Sequence, residues 1–392
     1  MLKKLICFGL AVILMCSLVS AELLPGDYVF EDDESLQTIA ENGMTLNCRS
    51  ALLMETSSGK ILVEKDIDQK LPIASVTKIM TLLLVMEAID NGSLKTDDIV
   101  TVSENAASMG GSQAFMEPGE QMTVHDMLKA VVVSSANDGA VALGEHLAGS
   151  EQAFVQKMNL RAKELGMNNT EFINITGLDN TETHLSTARD VAIMSRELLK
   201  HSLIFDYTTI WIDSIRDGKF GLSNTNKLIR FYPGANGLKT GSTSKAKFCI
   251  SASAKRDNMQ LIAVVLAAPS GNERTAVAKQ LLDYGFANYA VYIPPEEDLP
   301  NVPVKGGKMP FCRVSFDPND KILVLKGQEN KISRSISVAE SISAPVDKGQ
   351  TIGKITYTLD DKVICEKDIT ALEDIQKVGF ADIFKEILSR LM

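Results

Sequence analysis

The sequence predicts an α+β protein: an antiparallel sheet with a helical cover, then a small β-sandwich, then a C-terminal amphipathic helix. Three observations predict it. β-rich runs occur at Thr45–Asp66 and return at 237–268, on either side of a stretch from Ser75 to about Ser202 whose apolar residues recur at helical spacing. A run with four prolines and three acids, IPPEEDLPNVPV, separates this body from the C-terminal part of the chain. Beyond it, short alternating segments are divided by turn residues at close intervals, the pattern of a small sandwich. The 392 residues suffice for two domains with cores of their own. The formal net charge is −10 and no stretch forms a basic groove, so nucleic acid is not expected as a partner.

In chain order, residues 1–21 have the three parts of a secretory signal. Lys3 and Lys4 give the positive start, Leu5–Leu18 the apolar run, and Val19-Ser20-Ala21 a small-residue cleavage site. Residues 22–43 form a lead segment. In the domain at 44–290, LNCRSALLME and KILVEKD read as strands joined by a turn at Thr56–Gly59. The helices VHDMLKAVVV, AVALGEHLA, QAFVQKMNLRAKEL and ARDVAIMSRELLKH come next. The strands LKTGS, AKFCISASA and LIAVVLAA and a helix TAVAKQLLDYGFANY close it. The first hairpin is expected to return and pair with the last strands. Residues 291–304 are expected to be a linker, and 305–376, with CRVSFD, KILVLKG, SISVAE and GKITYTL, the β-sandwich.

In residues 377–392, Phe380, Ile383, Phe384, Ile387, Leu388 and Leu391 fall on one arc of a helix at about 100° per residue. Asp382, Lys385, Glu386, Ser389 and Arg390 take the other side. Such a helix is too short and too polar to span a bilayer. It is expected to lie on the membrane surface or to pack on its own β-domain. Outside the signal, four cysteines remain: Cys48, Cys249, Cys312 and Cys365. None forms a CxxC or a cluster at metal spacing, so no metal site is expected. Cys48 and Cys249 sit in apolar strand-like runs and read as buried small hydrophobes. Pairing of Cys312 with Cys365 stays open.

The chemistry starts at LPIASVTKIMTLLLVMEAID, Leu71–Asp90, a helix apolar on nearly every side that carries Lys78 in its first turn. Loss of water disfavours a buried ammonium. Ser75 lies three residues before, one turn away on the same face. A neutral Lys78 can take the proton of Ser75 as its hydroxyl attacks a carbonyl. Ser-x-x-Lys alone is weak evidence, since Ser57–Lys60, Ser242–Lys245 and Ser244–Lys247 share the spacing in turns, loops or strands. Two further motifs raise its weight: Ser135-Ala136-Asn137 in a turn between apolar helices, and Lys239-Thr240-Gly241 opening a strand. Ser103-Glu104-Asn105 is a decoy in polar sequence.

Ser-x-x-Lys, Ser-x-Asn and Lys-Thr-Gly in that order resemble the motif set of the penicillin-recognising serine enzymes. LPIASVTKIMT, GGSQAFMEPGE, VSSANDGAVALGEHLAGS, FINITGLDN and HLSTARDVA resemble, within them, the low-molecular-mass penicillin-binding proteins, the serine-type D-alanyl-D-alanine carboxypeptidases. The resemblance covers about residues 44–290 and continues through the tail. It implies a β-lactamase/transpeptidase-like domain that removes the terminal D-alanine from peptidoglycan stem peptides and is acylated by β-lactams. It also implies residence outside the cytoplasm, on the outer face of the cytoplasmic membrane, and no cofactor. Ser75 is then the nucleophile, Lys78 the base, Ser135 a proton relay and Asn137 the residue that fixes Lys78 and holds the substrate peptide. Lys239, Thr240, Gly241 and Ser242 bind substrate. The resemblance adds Arg274, in PSGNERTAVAKQLLDYGF, as a carboxylate partner, and the backbone N–H groups of Ser75 and Ser242 as the oxyanion hole.

Two departures stand out: Ala235-Asn236-Gly237 where many members have Val-Asp-Gly, and Ser242 where some have His. Two rival readings share the motifs. A class A β-lactamase needs a deacylating glutamate, which Glu164 and Asn168 imitate in spacing, although NLRAKELGMNN reads better as a solvated helix end at Gly166. A catalytically weak wall-binding protein would keep the fold without the rate. His184 reads as structural.

Overall fold

The computed structural model of the chain describes residues 44–391 except 179–182, 296–298 and 317–320. The expected signal and lead segment lie outside the described residues. Five strands make the central sheet: β1 Ser50–Glu55, β2 Ile61–Lys65, β3 Ala235–Thr243, β4 Lys247–Arg256 and β5 Met259–Ala268. Their order is β2-β1-β5-β4-β3, with every neighbour antiparallel. The first hairpin therefore returns as expected, with Ser50 opposite Leu266 and Glu55 opposite Leu261. Its turn is held by the Glu55 carboxylate, which accepts from the N–H groups of Ser57 and Ser58, both at 2.8 Å.

Both faces of this sheet are buried. Leu52, Met54, Ile262, Val264 and Leu266 face the helical layer. Ala51, Leu53, Leu261, Ala263 and Val265 face the other side. That explains why MQLIAVVLAA is apolar throughout instead of alternating, since each side chain of a doubly covered strand needs an apolar neighbour. The helices are α1 Lys78–Asp90, α2 Val124–Val133, α3 Asn137–Ala148, α4 Glu151–Glu164, α5 Ala188–Leu198 and α6 Gly271–Asn288. α1 is the central one, buried on most sides as its sequence requires. Side-chain caps start four of the others: Thr123 accepts from Asp126 N–H, Ser150 from Ala153, Thr187 from Asp190 and Ser270 from Glu273. The Ser270 cap places the beginning of α6 at Gly271, four residues ahead of the expected Thr275. α6 covers the second face of the sheet through Val277, Leu281 and Leu282.

The expected linker 291–304 is shorter in the structure. Tyr289–Tyr292 is a strand paired with Ile322–Leu325, and Val302–Lys305 is a strand between Phe311–Cys312 and Ile342–Ser343. Val302 and Val304 point inward while Pro303 does not, so the last prolines belong to a sheet and not to a tether. A four-stranded sheet of order Val314–Ser315, Lys362–Ala371, Thr351–Leu359, Ile332–Val338 completes the tail domain. The three sheets share a core with Ile355, Tyr357, Ile369, Val346 and Ile375. Cys312 is buried in this core and Cys365 is half-buried, and no disulfide joins the two. The last helix, α7, runs Phe380–Leu391.

Candidate active site

Three elements meet at one end of the sheet: the turn before α1, the α2–α3 turn, and the edge strand β3. Ala74–Thr77 form one 3-10 turn, and Lys78 opens α1 directly after it. Ala74 holds a left-handed φ of 49°, a conformation that costs an alanine energy and persists only under tight packing. That packing comes from two glycines. A Cβ on Gly177 would fall 1.9 Å from the Ala74 carbonyl, and one on Gly241 2.8 Å from Ser75 N. A histidine braces the turn from below. His184 Nδ1 accepts from Ile173 N–H at 3.2 Å, so Nε2 carries the proton and donates to Thr77 Oγ1 at 2.9 Å. The structural reading of His184 fits this position.

Lys78 Nζ lies 2.9 Å from Ser75 Oγ, 2.5 Å from Asn137 Oδ1 and 3.1 Å from the Thr176 carbonyl. The last two oxygens only accept, whereas a serine hydroxyl can donate. A neutral amine satisfies all three partners: two N–H groups donate to Asn137 and Thr176, and the lone pair accepts from the Ser75 hydroxyl. Burial draws this amine well below the usual lysine range, the charge of Lys239 adds to the effect, and Asp138 opposes it. Asn137 is fixed in turn. Its Nδ2 donates to Gly110 O at 2.6 Å and its backbone N–H to Ser112 O at 2.7 Å. Ser135, two residues before, has a φ of 65°, and its buried hydroxyl has no hydrogen-bond partner among the described residues. A free hydroxyl in that place can pass a proton.

The third motif splits in two. Thr240, Gly241 and Ser242 line a cavity of about 300 Å³ together with Ser75, Ser135 and Arg274. Lys239 lies beneath it, 1% exposed, with Nζ donating to the Thr240 carbonyl at 3.0 Å. It is not a lining residue, and its charge acts from below. Burial, and then Arg274, bring Lys239 down to about 7. Arg274 arrives from α6, half-buried. Its Nη1 donates to Cys249 O at 3.4 Å, and its Nε has no hydrogen-bond partner among the described residues. Burial lowers its guanidinium as well, although an arginine stays charged throughout. Arg274, Lys239 and Lys78 thus form a series of basic groups, each favouring the neutral form of the next.

Several residues of the site carry no mark in the sequence. The Thr176 carbonyl is a backbone group delivered by a loop. Ser112, Thr225, Lys227 and Asn272 also line the cavity, and Thr225 Oγ1 accepts from Thr240 Oγ1 at 2.7 Å. Asn236 is not among them. Its Oδ1 accepts from Ser253 Oγ at 2.8 Å and Gln260 Nε2 at 3.0 Å, so the departure at 235–237 braces the start of β3 away from Ser75. The side chain of Glu164 is 51% exposed and pairs with Arg161 at 3.2 Å. It ends α4 just before Gly166, whose φ is 75°. Ser103 of the decoy motif caps a short helix through Ala106 N–H. Cys48 and Cys249 are buried, and burial pushes both thiols up to about 11. Two larger cavities, beside Met44 and beside Lys255, hold none of the three motifs.

A helical and antiparallel body with a serine, a buried amine and a Lys-Thr-Gly strand meeting at one corner defines the penicillin-recognising class of serine acyl-transfer enzymes. The chain belongs to the D-alanyl-D-alanine carboxypeptidase family, peptidase S11, whose model matches residues 37–270. Residues 295–377 match the C-terminal domain of penicillin-binding protein 5. The chain is 42% identical over 381 residues to the D-alanyl-D-alanine carboxypeptidase DacF of Bacillus subtilis (strain 168), covering 96% of each chain. It is 33% identical to DacC of Escherichia coli (strain K12), over 86% of each. Penicillin-binding protein 5 of Haemophilus influenzae superposes with a TM-score of 0.73 at 30% identity, over 85% of this chain and 99% of that one.

Proposed function

We propose that the protein is a serine-type carboxypeptidase that removes the terminal D-alanine from peptidoglycan stem peptides through a Ser75 acyl-enzyme, and that β-lactams trap it there. The observation that carries this reading is the buried Lys78 amine, 2.9 Å from Ser75 Oγ and anchored by two acceptors. Ser75 Oγ attacks the carbonyl of the penultimate D-alanine while Lys78 takes the hydroxyl proton. The negative oxygen of the tetrahedral intermediate faces the N–H groups of Ser75 and Ser242. The C–N bond breaks, and the proton passes by way of the Ser135 hydroxyl to the leaving amine of D-alanine. Water, deprotonated by Lys78, then opens the ester and restores Ser75. Arg274 and Thr240 hold the terminal carboxylate, with Lys239 adding charge from beneath. Incubation with a pentapeptide ending in D-Ala-D-Ala tests the activity: mass spectrometry should show the tetrapeptide and free D-alanine. An intact peptide, or cleavage at an internal bond, would contradict the carboxypeptidase reading.

Gly241 gives a test of the oxyanion geometry. A Cβ there would press on Ser75 N and on the Ile73 carbonyl, both at 2.8 Å. Gly241→Ala is expected to slow β-lactam acylation by about 10²-fold, the scale of losing one oxyanion donor. Stopped-flow acylation kinetics read the change, and an unaltered rate would remove this strand from the hole.

We also infer that the chain is exported by its N-terminal signal and rests on the outer face of the cytoplasmic membrane through α7. Support comes from the exposure of the helix's apolar arc: Phe380 is 85% exposed, Phe384 53%, Ile383 48% and Leu388 45%. These side chains are not covered by the β-domain, and no helix among the described residues is long and apolar enough to cross a membrane. Each large apolar side chain contributes about 1.5–3 kcal/mol when buried. Deleting Gly379–Met392 should release active, penicillin-binding protein into the soluble fraction, while high salt releases little of the intact form. Truncated protein that stays with the membrane fraction would rule out this anchor.

A further inference from the structure

The cavity beside Lys255, about 420 Å³ in volume, is lined by four cations: Arg196, Lys200, Lys255 and Lys321. No carboxylate is among its described lining residues, and it shares none of them with the cavity of Ser75. The cations come from separate elements. Arg196 and Lys200 lie at the carbonyl end of α5, Lys255 near the end of β4, and Lys321 just ahead of the tail strand Ile322–Leu325. A place at a helix C-terminus accounts for the first two. It does not account for Lys255 or Lys321, whose side chains have no hydrogen-bond or ion-pair partner among the described residues. The charge on the other two is also poorly matched. Arg196 directs Nε to Thr56 O at 2.6 Å and Nη2 to Ser57 O at 3.0 Å, both neutral acceptors. Lys200 pairs with Glu197 at 2.6 Å, but that carboxylate also takes Arg161 at 3.4 Å. Four like charges around one cavity repel one another, and an anion between them relieves the repulsion.

Asn236 lines the same cavity, at the position where many members of the family have aspartate. Its amide lies against that of Gln260, with Nδ2 donating to Gln260 Oε1 at 3.2 Å and Oδ1 accepting from Gln260 Nε2 at 3.0 Å. Ser253 Oγ donates to the same Oδ1 at 2.8 Å. A carboxylate accepts from both of those donors equally well, so the brace alone does not call for an amide. What the amide changes is charge. An aspartate here would neutralise the cations from within, whereas asparagine leaves their field open to a ligand.

We propose that this cavity is a binding site for a ligand that carries two or more phosphate groups, and that Asn236 keeps it open to them. A carboxylate offers two oxygens in one plane, the match for a single guanidinium fork, whereas the donors here approach from three elements. The oxygens of a phosphate point in several directions and can meet them together. Four cations around this volume suit more than one such group. The site stands apart from the carboxypeptidase chemistry, since none of its residues serves Ser75.

Isothermal titration of the full-length protein at constant ionic strength tests the proposal, with tripolyphosphate, inorganic phosphate and acetate as probes. Tripolyphosphate should bind tightest, phosphate more weakly and acetate least, and tripolyphosphate should raise the thermal midpoint. Lys255→Ser should weaken tripolyphosphate about tenfold, the scale of one charge-assisted contact, and adding Lys321→Ser should weaken it about tenfold again. Asn236→Asp, which keeps the shape and adds a negative charge, should weaken it at least as much as Lys255→Ser. Acylation by penicillin should stay within about twofold in Lys255→Ser and Lys321→Ser, which shows that these variants are folded. A glycerol phosphate oligomer that competes with tripolyphosphate would identify a phosphodiester chain as the source of the groups, and one that does not compete would identify a phosphomonoester or polyphosphate. No binding of tripolyphosphate by wild type, equal affinity in Lys255→Ser, or unchanged or tighter binding in Asn236→Asp would overturn the site.

Discussion

Ser75→Ala is expected to remove all covalent labelling by penicillin and to lower D-alanine release by about 10⁴-fold or more, the scale seen when a nucleophile is deleted from a serine hydrolase. The fold should survive. The hydroxyl makes one described side-chain contact, to Lys78 Nζ, and the turn around it is held by other groups. Gly177 and Gly241 leave no space beside Ala74 and Ser75, and His184 holds Thr77. Lys78 keeps Asn137 Oδ1 and the Thr176 carbonyl as acceptors. The thermal midpoint should therefore shift little, since no cavity larger than one hydroxyl is left. A fluorescent penicillin, followed on a denaturing gel, gives the readout. Labelling that persists would move the nucleophile to another hydroxyl of the cavity, and peptide mapping would then decide among Ser112, Ser135, Thr240 and Ser242.

The groups of this reaction differ in how far the sequence discloses them. Ser75 and Lys78 are legible because helical spacing turns a separation of three into adjacency, and because a lysine in an apolar helix demands a reason. Ser135 and Lys239 become legible only through the order of the three motifs. The Thr176 carbonyl, Ser112, Thr225 and Lys227 are not legible, for a physical reason: loops bring them in, and loops have no periodicity from which a facing direction can be read. Much of the fold follows from patterns. Strands covered on both faces are continuous apolar runs, and the caps Thr123, Ser150, Thr187 and Ser270 mark four helix starts. The linker is less legible. Prolines signal irregular chain, yet Pro303 sits in a strand next to a two-residue neighbour, where a missing donor costs little. Lys239 shows a second limit. Its motif says that it serves the site, but only burial shows that it acts from beneath the strand.

Lys78→Arg is the sharper test of mechanism. The guanidinium stays protonated in any protein environment, so it cannot take the Ser75 proton, although it keeps donors that can face Asn137 and Thr176. Acylation by penicillin should fall by about 10³-fold, within the range for loss of a general base. Lys78→Met, which has neither the basic lone pair nor the donors, should be as inactive. The pH dependence gives the matching sign. Wild-type acylation should rise with pH as Lys78 loses its proton, and the rise should lie well below the ordinary lysine range, since burial first and Lys239 second favour the neutral amine. Removing the neighbouring charge in Lys239→Gln makes protonation of Lys78 easier, so its titration must move to higher pH. Arg274 acts on Lys239 in the same direction, so Arg274→Ala should raise the titration of Lys239 from about 7. Stopped-flow acylation across the range from mildly acidic to alkaline pH measures both limbs. Substantial acylation by Lys78→Arg, or a downward shift in Lys239→Gln, would mean that another group takes the serine proton and that the buried amine serves only to hold Asn137 in place.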